Sequence, residues 1–470
     1  MTNASLSFDD RAREQPGRVA LWLPHRGRLS FAELDILARR AAAALIRTKI
    51  KTGDKILLFV DLGFELYAWI IAAARLGVPV LLVEPWMPLS RIERIVSSQR
   101  PHVFVASRLG KLWGIRVRAI RQIPHHVAGS SIHAESSAPH GTEPVSPELP
   151  CIITFTSGST GEPKGIVRTH GYLRAQLDAL NDALHFAEYR GPDLCIFANF
   201  ALANLANGRP SLVIPSQWRS EHLAMLRDLP RDLAPETVTA GPAFMAKLLE
   251  TGGPASLRAI HIGGALTDNA FFDRVFARWP EAKVSHVYGS TEAEPVAHTD
   301  AREAVVKSRG LGFFQTVYLG KPWERLKAKI QGDETWIQGP HVAPEYLDNP
   351  EANSAFKKRD ATGLLWHRMG DRIVQQDGGW YFAGRERQNL KDFEMEQRLY
   401  EVLGHSQAFI TRDKDESLDV YLDPRGKNPK HLVRATFSDV RHVMATKIVR
   451  DPRHRARIDR ERSMKQAKQL

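Results

Sequence analysis

At 470 residues the chain exceeds what one simple hydrophobic core serves, and it implies two or more domains. Its 43% hydrophobic and 25% charged residues are the ordinary mix of a soluble globular protein. The formal net charge of +12 invites a nucleic-acid partner, but much of the excess lies in residues 441–468 rather than along an aromatic-interleaved face, so none is expected.

Cys151 and Cys195 each lie in an apolar segment without a CxxC or histidine partner at ligand spacing, and they read as buried, reduced thiols of a cytoplasmic protein. The opening MTNASLSFDDRAREQPG lacks a basic n-region before an apolar h-region, so no signal peptide is expected. The apolar stretch 66–83 is interrupted by Arg75, Gly77 and Pro79, and reads as helix, turn and buried strand, with no membrane span.

In chain order, Ser30 with Glu33 three positions on opens a capping box, and apolar residues then recur at helical spacing through Leu45. Residues 55–60 read as a strand, 65–76 as a helix, 78–83 as a strand, 89–97 as a helix and 103–106 as a strand. Strands apolar on both faces and alternating with helices argue a parallel sheet covered on both sides. Residues 108–150 are weakly patterned and end in a Ser/Pro/Gly-rich run, a flexible lead-in to the next segment.

That segment is FTSGSTGEPKG, which follows the buried-strand text CIITF and precedes an amphipathic stretch at 172–185. Three glycines, four hydroxyl residues, a proline and a lysine occupy positions 156–165. Glycines let the backbone approach an anion, backbone N–H groups and hydroxyls donate to phosphate oxygens, and Lys164 adds a full charge. Lys164 stands between Pro163 and Gly165, so the Walker pattern fails. The loop is built to hold a polyphosphate.

Beyond it, 193–200 and 210–215 read as strands around the turn region ALANLANGR, and 221–229 as a helix. A strand ends at Gly241-Pro242 before a helix at 243–250. Another runs over 258–262 to Gly263, Gly264 and Ala265, a helix over 271–279, and a strand over 283–288 to Gly289, Ser290, Thr291 and Glu292. Ligands of open α/β sheets bind beyond such carboxyl-terminal strand ends. From about 318 the texture changes to short strands, with a hairpin around Asp377-Gly378-Gly379. Phe197, Phe200, Phe244 and Met245 read first as core, and second as the lining of an acyl pocket.

TSGSTGEPKG resembles the phosphate loop of adenylate-forming enzymes, the group of acyl-CoA synthetases, peptide-synthetase adenylation domains and luciferases. Later segments agree in the same order: YGSTE at 288–292, GGA at 263–265, Gly339-Pro340 with Tyr346, Pro350 and Glu351, Asp371 after Arg368-Met369-Gly370, and Gly384-Arg385. Glu345 departs from that pattern, standing where the family has a glycine. The resemblance implies an α/β fold: a large N-terminal domain of two doubly wound subdomains (1–150, 151–310) and a small β-barrel-like part (311–386), then a small, mobile α+β C-terminal domain (387–470) hinged at Arg387. It implies that Thr156, Ser157, Gly158, Ser159, Thr160, Gly161 and Lys164 grip the ATP phosphates. Tyr288 and Gly289, with Gly263, Gly264 and Ala265, would take adenine, and Thr291 would contact the α-phosphate. Glu292 would help hold Mg²⁺, and Asp371 and Arg385 would hold the ribose.

WHRMGD, FANFALANLANG, LWGIRVRAI and RHRARIDRE look like the β-lactone synthetases of long-chain olefin biosynthesis. That implies adenylation of a fatty or 3-hydroxy fatty acid with release of pyrophosphate, followed by attack of its own hydroxyl. Coenzyme A or a carrier protein of a lipid or secondary-metabolite pathway is the alternative acceptor. Where the family has a catalytic lysine near its C-terminal end, the aligned residue is Arg457, and the tail after Arg385 is shorter than the family's. Arginine keeps the charge but presents a planar fork, so the exchange is not conservative. A catalytically impaired nucleotide- or acyl-binding subunit is therefore the reading of another class.

Overall fold

The computed structural model describes residues 3–469 except 25, 84–86, 135–140, 156–163, 215–217, 266, 310–316, 333, 387–389, 404–407, 413–416, 424–428, 438, 451–457 and 459. The chain is α/β and groups into two compact units. The first comprises Met1–Thr239, Thr291–Pro295 and Gln338–His367; the second comprises Ala240–Ser290, Val296–Ile337 and Arg368–Leu470.

In the first unit, one seven-stranded sheet runs in the order Tyr346–Leu347, Gly165–Thr169, Pro150–Phe155, Val80–Leu82, Ile56–Phe59, Val103–Ala106, His125–Ala128. The last five of these pair in parallel. Val103–Ala106 is buried along its whole length, as expected where helices cover both faces. Gly165–Thr169 returns antiparallel to Pro150–Phe155, and Tyr346–Leu347 pairs antiparallel to it, Tyr346 opposite Ile166 and Leu347 opposite Gly165.

A second sheet in this unit holds Gly27–Ser30, Val19–Leu23, Ser211–Val213, Asp193–Cys195 and Thr237–Ala240 in that order. Val19–Leu23 pairs in parallel with Ser211–Val213. The amino-terminal strands therefore join strands drawn from beyond residue 190, and the division at 150 does not separate the sheets.

Local rules account for the helices. The Ser30 hydroxyl accepts from the Glu33 amide at 3.2 Å while the Glu33 carboxylate accepts from the Ser30 amide at 2.7 Å, completing the capping box of Phe31–Ile46. Thr169 caps His170–Ala183 by accepting from the Tyr172 amide at 3.1 Å. Arg75 sits in the buried helix Phe64–Arg75, where its guanidinium pairs with Asp9 at 2.6 Å and with Asp35. A charge is tolerated there because both its partners are carboxylates.

Two expectations are corrected. Residues 193–200 do not form one strand: Asp193–Cys195 is a strand and Ala198–Ala206 is a helix. Alanine and leucine outvote the turn signal of the asparagines, and the Asn204 amide nitrogen donates inward to Asp193 at 2.9 Å. Residues 108–133 are more ordered than their text suggests, carrying the helices Arg108–Arg116 and Arg118–Arg121, the strand His125–Ala128 and a 3₁₀ turn.

In the second unit, Ala259–Gly263, Lys283–Ser290, Ala293–Asp300, Val317–Pro322, Gly379–Arg385 and Asp371–Gln376 follow one another in a sheet. The hairpin expected at Asp377 forms between the last two, with Gln376 opposite Gly379. The β-rich stretch thus extends a sheet, and no closed barrel forms among the described residues. Near the C-terminal end a four-stranded sheet of Ala408–Arg412, Leu418–Leu422, Val440–Ala445 and Lys468–Gln469 packs with the helices Leu390–Leu403 and Pro429–Thr436. Both cysteines are buried free thiols, and no described helix is long and apolar enough to cross a membrane.

Candidate functional site

Of the expected site residues, Thr156, Ser157, Gly158, Ser159, Thr160, Gly161, Arg387 and Arg457 lie outside the described residues. The rest fall into two groups, one in each compact unit.

The first group gathers around Glu292. The strand Gly165–Thr169 leaves the 156–163 segment, and Tyr346 lies beside it by antiparallel register. The Tyr346 hydroxyl donates to Glu292 Oε1 at 2.7 Å, and the Ala343 amide donates to the Glu292 carbonyl at 2.7 Å. Lys164 Nζ stands 3.8 Å from the Phe356 ring centroid and 5.1 Å from that of Tyr346, a cation held over aromatic faces. Lys357 Nζ donates to the Ala343 carbonyl at 2.6 Å and lies 5.3 Å from the Tyr346 centroid. Antiparallel pairing sets Lys357 opposite His367, whose Nδ1 lies 3.1 Å from the Phe356 carbonyl. That contact requires a proton on Nδ1 and leaves Nε2 as the acceptor. The guanidinium of Arg168 donates to the Thr291 carbonyl at 2.9 Å and to the Thr154 hydroxyl at 2.6 Å, holding the chain that carries Glu292.

Burial alone would raise the Glu292 carboxyl. The His367 and Lys357 side chains and the Tyr346 hydrogen bond reverse this and hold it at about 2. Burial, with Lys357 beside it, lowers His367 to about 3, so the imidazole is neutral at pH 7 and Tyr346 and Lys357 carry the effect on Glu292 there. Burial lowers Lys357 to about 8, against the opposing pull of Glu292. At pH 7 the cluster therefore holds an ionised Glu292 and a protonated Lys357, with Lys164 against the same aromatic rings, groups suited to a polyanion and its cation.

Acid should unsettle this arrangement. Burial also lowers His170 and His286 to about 4. A histidine depressed in the folded state takes up its proton only on unfolding, so stability is full above the unfolded value near 6.5 and falls as pH drops below it. Denaturant unfolding is expected to show lower stability at pH 5 than at pH 7, and His367→Gln, which keeps a donor for the Phe356 carbonyl, should flatten part of that slope.

The second group lies at strand ends. Ala259–Gly263 pairs in parallel with Lys283–Ser290, Gly263 opposite Val287. A Cβ on Gly263 would stand 2.7 Å from the Val287 carbonyl oxygen, and Gly264 has φ +79°, so each position requires glycine. The buried Tyr288 hydroxyl donates to Asp371 Oδ2 at 2.6 Å. Arg385 Nη1 reaches Asp371 Oδ1 at 2.5 Å, the two residues being cross-strand partners in the hairpin. Asp371 is buried, while the Arg385 side chain is 46% exposed. Arg368 makes a two-point contact with Glu386, at 3.1 and 2.6 Å, and also pairs with Glu334 at 2.9 Å, which ties the chain just before Asp371 to the chain just after Arg385.

Lys357, His367 and Arg168 were not among the expected residues, and Tyr346 entered only as part of a motif. Nothing in the local text around Lys357 marks it; only strand pairing across 357–367 brings it to Glu292.

Residues 8–347 match the family model described as "AMP-binding enzyme". The nonribosomal peptide synthetase anaPS of Neosartorya fischeri is 27% identical over 490 residues, covering 93% of this chain and 20% of that protein. The chain thus spans a fifth of that relative's length. An olefin beta-lactone synthetase of Stenotrophomonas maltophilia is 24% identical over 442 residues, covering 83% of this chain and 80% of that protein. The solved structure of O-succinylbenzoate coenzyme A synthetase (MenE) from Bacillus subtilis, in complex with AMP, superposes with a TM-score of 0.77 at 19% identity over 98% of both chains, a likeness of fold.

Proposed function

The chain belongs to the AMP-binding enzyme family, and we propose that it is an AMP-forming ligase that activates a fatty or 3-hydroxy fatty acid as its acyl-adenylate. The acid's carboxylate oxygen attacks the α-phosphorus of ATP, and the bond to pyrophosphate breaks. The observation that carries this reading is the ionised, half-buried Glu292, bonded to Tyr346 and facing Lys357, with Lys164 against the rings of Phe356 and Tyr346, an arrangement charged for a polyphosphate and its cation.

In this reading, positions 156–161 and Lys164 grip the phosphates and Thr291 meets the α-phosphate. Gly263, Gly264, Ala265, Tyr288 and Gly289 take adenine, and Asp371 with Arg385 takes the ribose. Among the described residues, no group of three His, Cys, Asp or Glu converges as a metal cage. A single ionised carboxylate still fits Mg²⁺, which is bound by one or two carboxylates together with substrate phosphates. Glu292 would hold it, and the ion would neutralise charge on the transferred group. Residues 387–470 act as the small C-terminal domain, turning at Arg387 between half-reactions.

The relatives support more than one acceptor. Likeness to olefin beta-lactone synthetases over 80% of their length favours the acid's own 3-hydroxyl. Likeness to peptide synthetases supports a carrier-protein thiol as the second reading, with coenzyme A as a third. Incubation of 3-hydroxy fatty acids with ATP, with and without coenzyme A, followed by mass spectrometry, separates them. A product lighter than the acid by one water and independent of coenzyme A supports the lactone, and a thioester overturns it.

ATP–pyrophosphate exchange across acids of graded chain length tests the first half-reaction. Arg457→Lys is expected to change exchange by roughly 10²-fold or more, the effect of one donor well or badly placed at a reacting phosphate. A gain of that size would mark the natural chain as an impaired binding subunit; a loss would mark arginine as the adapted residue.

A further inference from the structure

The helix Arg108–Arg116 has its polarity turned inside out. Ser107 caps it by accepting from the Gly110 amide at 3.2 Å, and Gly110 and Gly114 face the sheet one turn apart. A Cβ on Gly110 would stand 2.6 Å from the Phe59 carbonyl oxygen, and one on Gly114 would stand 2.8 Å from the Phe104 ring. The helix is seated on its smallest residues. Three large apolar residues point outward instead: Leu109 is 67% exposed, Leu112 59% and Ile115 62%. Spacing of three residues keeps them on one side. Single exposed leucines need no explanation, but three in a row on a pinned helix form a patch.

The surroundings are mostly basic, Glu93 being an exception whose carboxylate accepts from the Ala119 amide at 2.9 Å. Arg108, Lys111, Arg116, Arg118 and Arg121 are all exposed, and the sequence holds no aspartate or glutamate from 94 to 134. Arg121 Nη1 donates to the Ile115 carbonyl, placing one of these cations at the helix end.

We propose that this face is an interfacial anchor that rests on an anionic lipid surface, with Leu109, Leu112 and Ile115 entering the acyl boundary and the cations meeting phosphate headgroups. A short helix with an apolar stripe and a basic rim binds this way through apolar burial and charge together. A second copy of this chain docked through the same face would set cation against cation, which disfavours a homodimer. The inference stands apart from the acid-activating reaction, because none of these residues belongs to the candidate site.

The test is flotation of the full chain with vesicles of phosphatidylglycerol and phosphatidylcholine, and with phosphatidylcholine alone. Binding is expected to the anionic vesicles, to weaken as salt is raised, and to be weaker on phosphatidylcholine alone. The exposed-residue variants Leu112→Asp/Ile115→Asp and Arg116→Glu/Arg118→Glu should each lower the bound fraction by roughly tenfold or more. Leu109→Ser/Ile115→Ser provides a milder apolar change, and thermal unfolding confirms that each variant folds. Absence of binding to anionic vesicles overturns the proposal, as does binding undiminished in folded variants. A lipid-independent change of oligomeric state in the same variants, without vesicle binding in the parent chain, would assign the face to a protein contact instead and overturn it too.

Discussion

The Glu292→Gln variant is expected to lose roughly 10²–10³-fold in ATP–pyrophosphate exchange while keeping its fold. Glutamine is nearly isosteric and its amide oxygen still accepts from the Tyr346 hydroxyl, so the contact at 2.7 Å survives in kind. What disappears is the only carboxylate facing Lys357 among the groups that set its titration, where Lys164 already acts against it. Lys357 then loses the counter-charge that opposed its burial, and the hard oxygen ligand proposed for Mg²⁺ is gone. The expected signature is a fall in rate together with a raised requirement for Mg²⁺, read from exchange measured over a magnesium series. Tyr346→Phe supplies the scale. It removes one hydrogen bond to a charged group, worth about 1.5–3 kcal/mol, and should cost less than the charge itself. Wild-type exchange in Glu292→Gln would remove this carboxylate from the active site.

The second large effect is expected at Asp371. Replacement by alanine removes the acceptor of the buried Tyr288 hydroxyl and the partner of Arg385 in one step. An orphaned buried donor costs about 1–3 kcal/mol of stability. Loss of a charge-assisted pair of contacts to a ribose would lower kcat/KM for ATP by about 10²-fold, equivalent to about 2.7 kcal/mol. Asp371→Asn keeps an acceptor for Tyr288 and should recover most of the stability and little of the ATP dependence. Thermal unfolding and the ATP dependence of exchange, measured side by side on both variants, separate the two losses. If both variants keep the parent's ATP dependence, Asp371 holds the hairpin and does not read the nucleotide.

The elements that local chemistry determines were the legible ones. The capping box at Ser30, the alternation of strand and helix through residue 106 and the hairpin at Asp377 are all short-range, and each formed near its expected place. The helix Ala198–Ala206 was misread because a run of alanine and leucine broken by asparagine carries no clear period. The parallel partner of Val19–Leu23 could not be read locally, since that strand begins at Ser211. The same limit applied to the site. Tyr288, Asp371 and Arg385 stand at motif positions, and the fold brings these three into contact. Lys357 and His367 reach Glu292 only through the register of a short antiparallel pair, which no local pattern announces.

The way the chain threads its two units bears on how it can be recombined. Thr291–Pro295 and Gln338–His367 return to the first unit after the chain has entered the second. Glu292 arrives on one of these excursions, and Tyr346, Lys357 and His367 on the other. A chimera cut at a single point between residues 296 and 337 would take its carboxylate from one parent and the tyrosine, lysine and histidine around it from the other. Even if every segment folded, the pairing of charges would be a mosaic. Exchange of acid specificity by recombination should therefore move 291–295 and 338–367 together, as one inherited block.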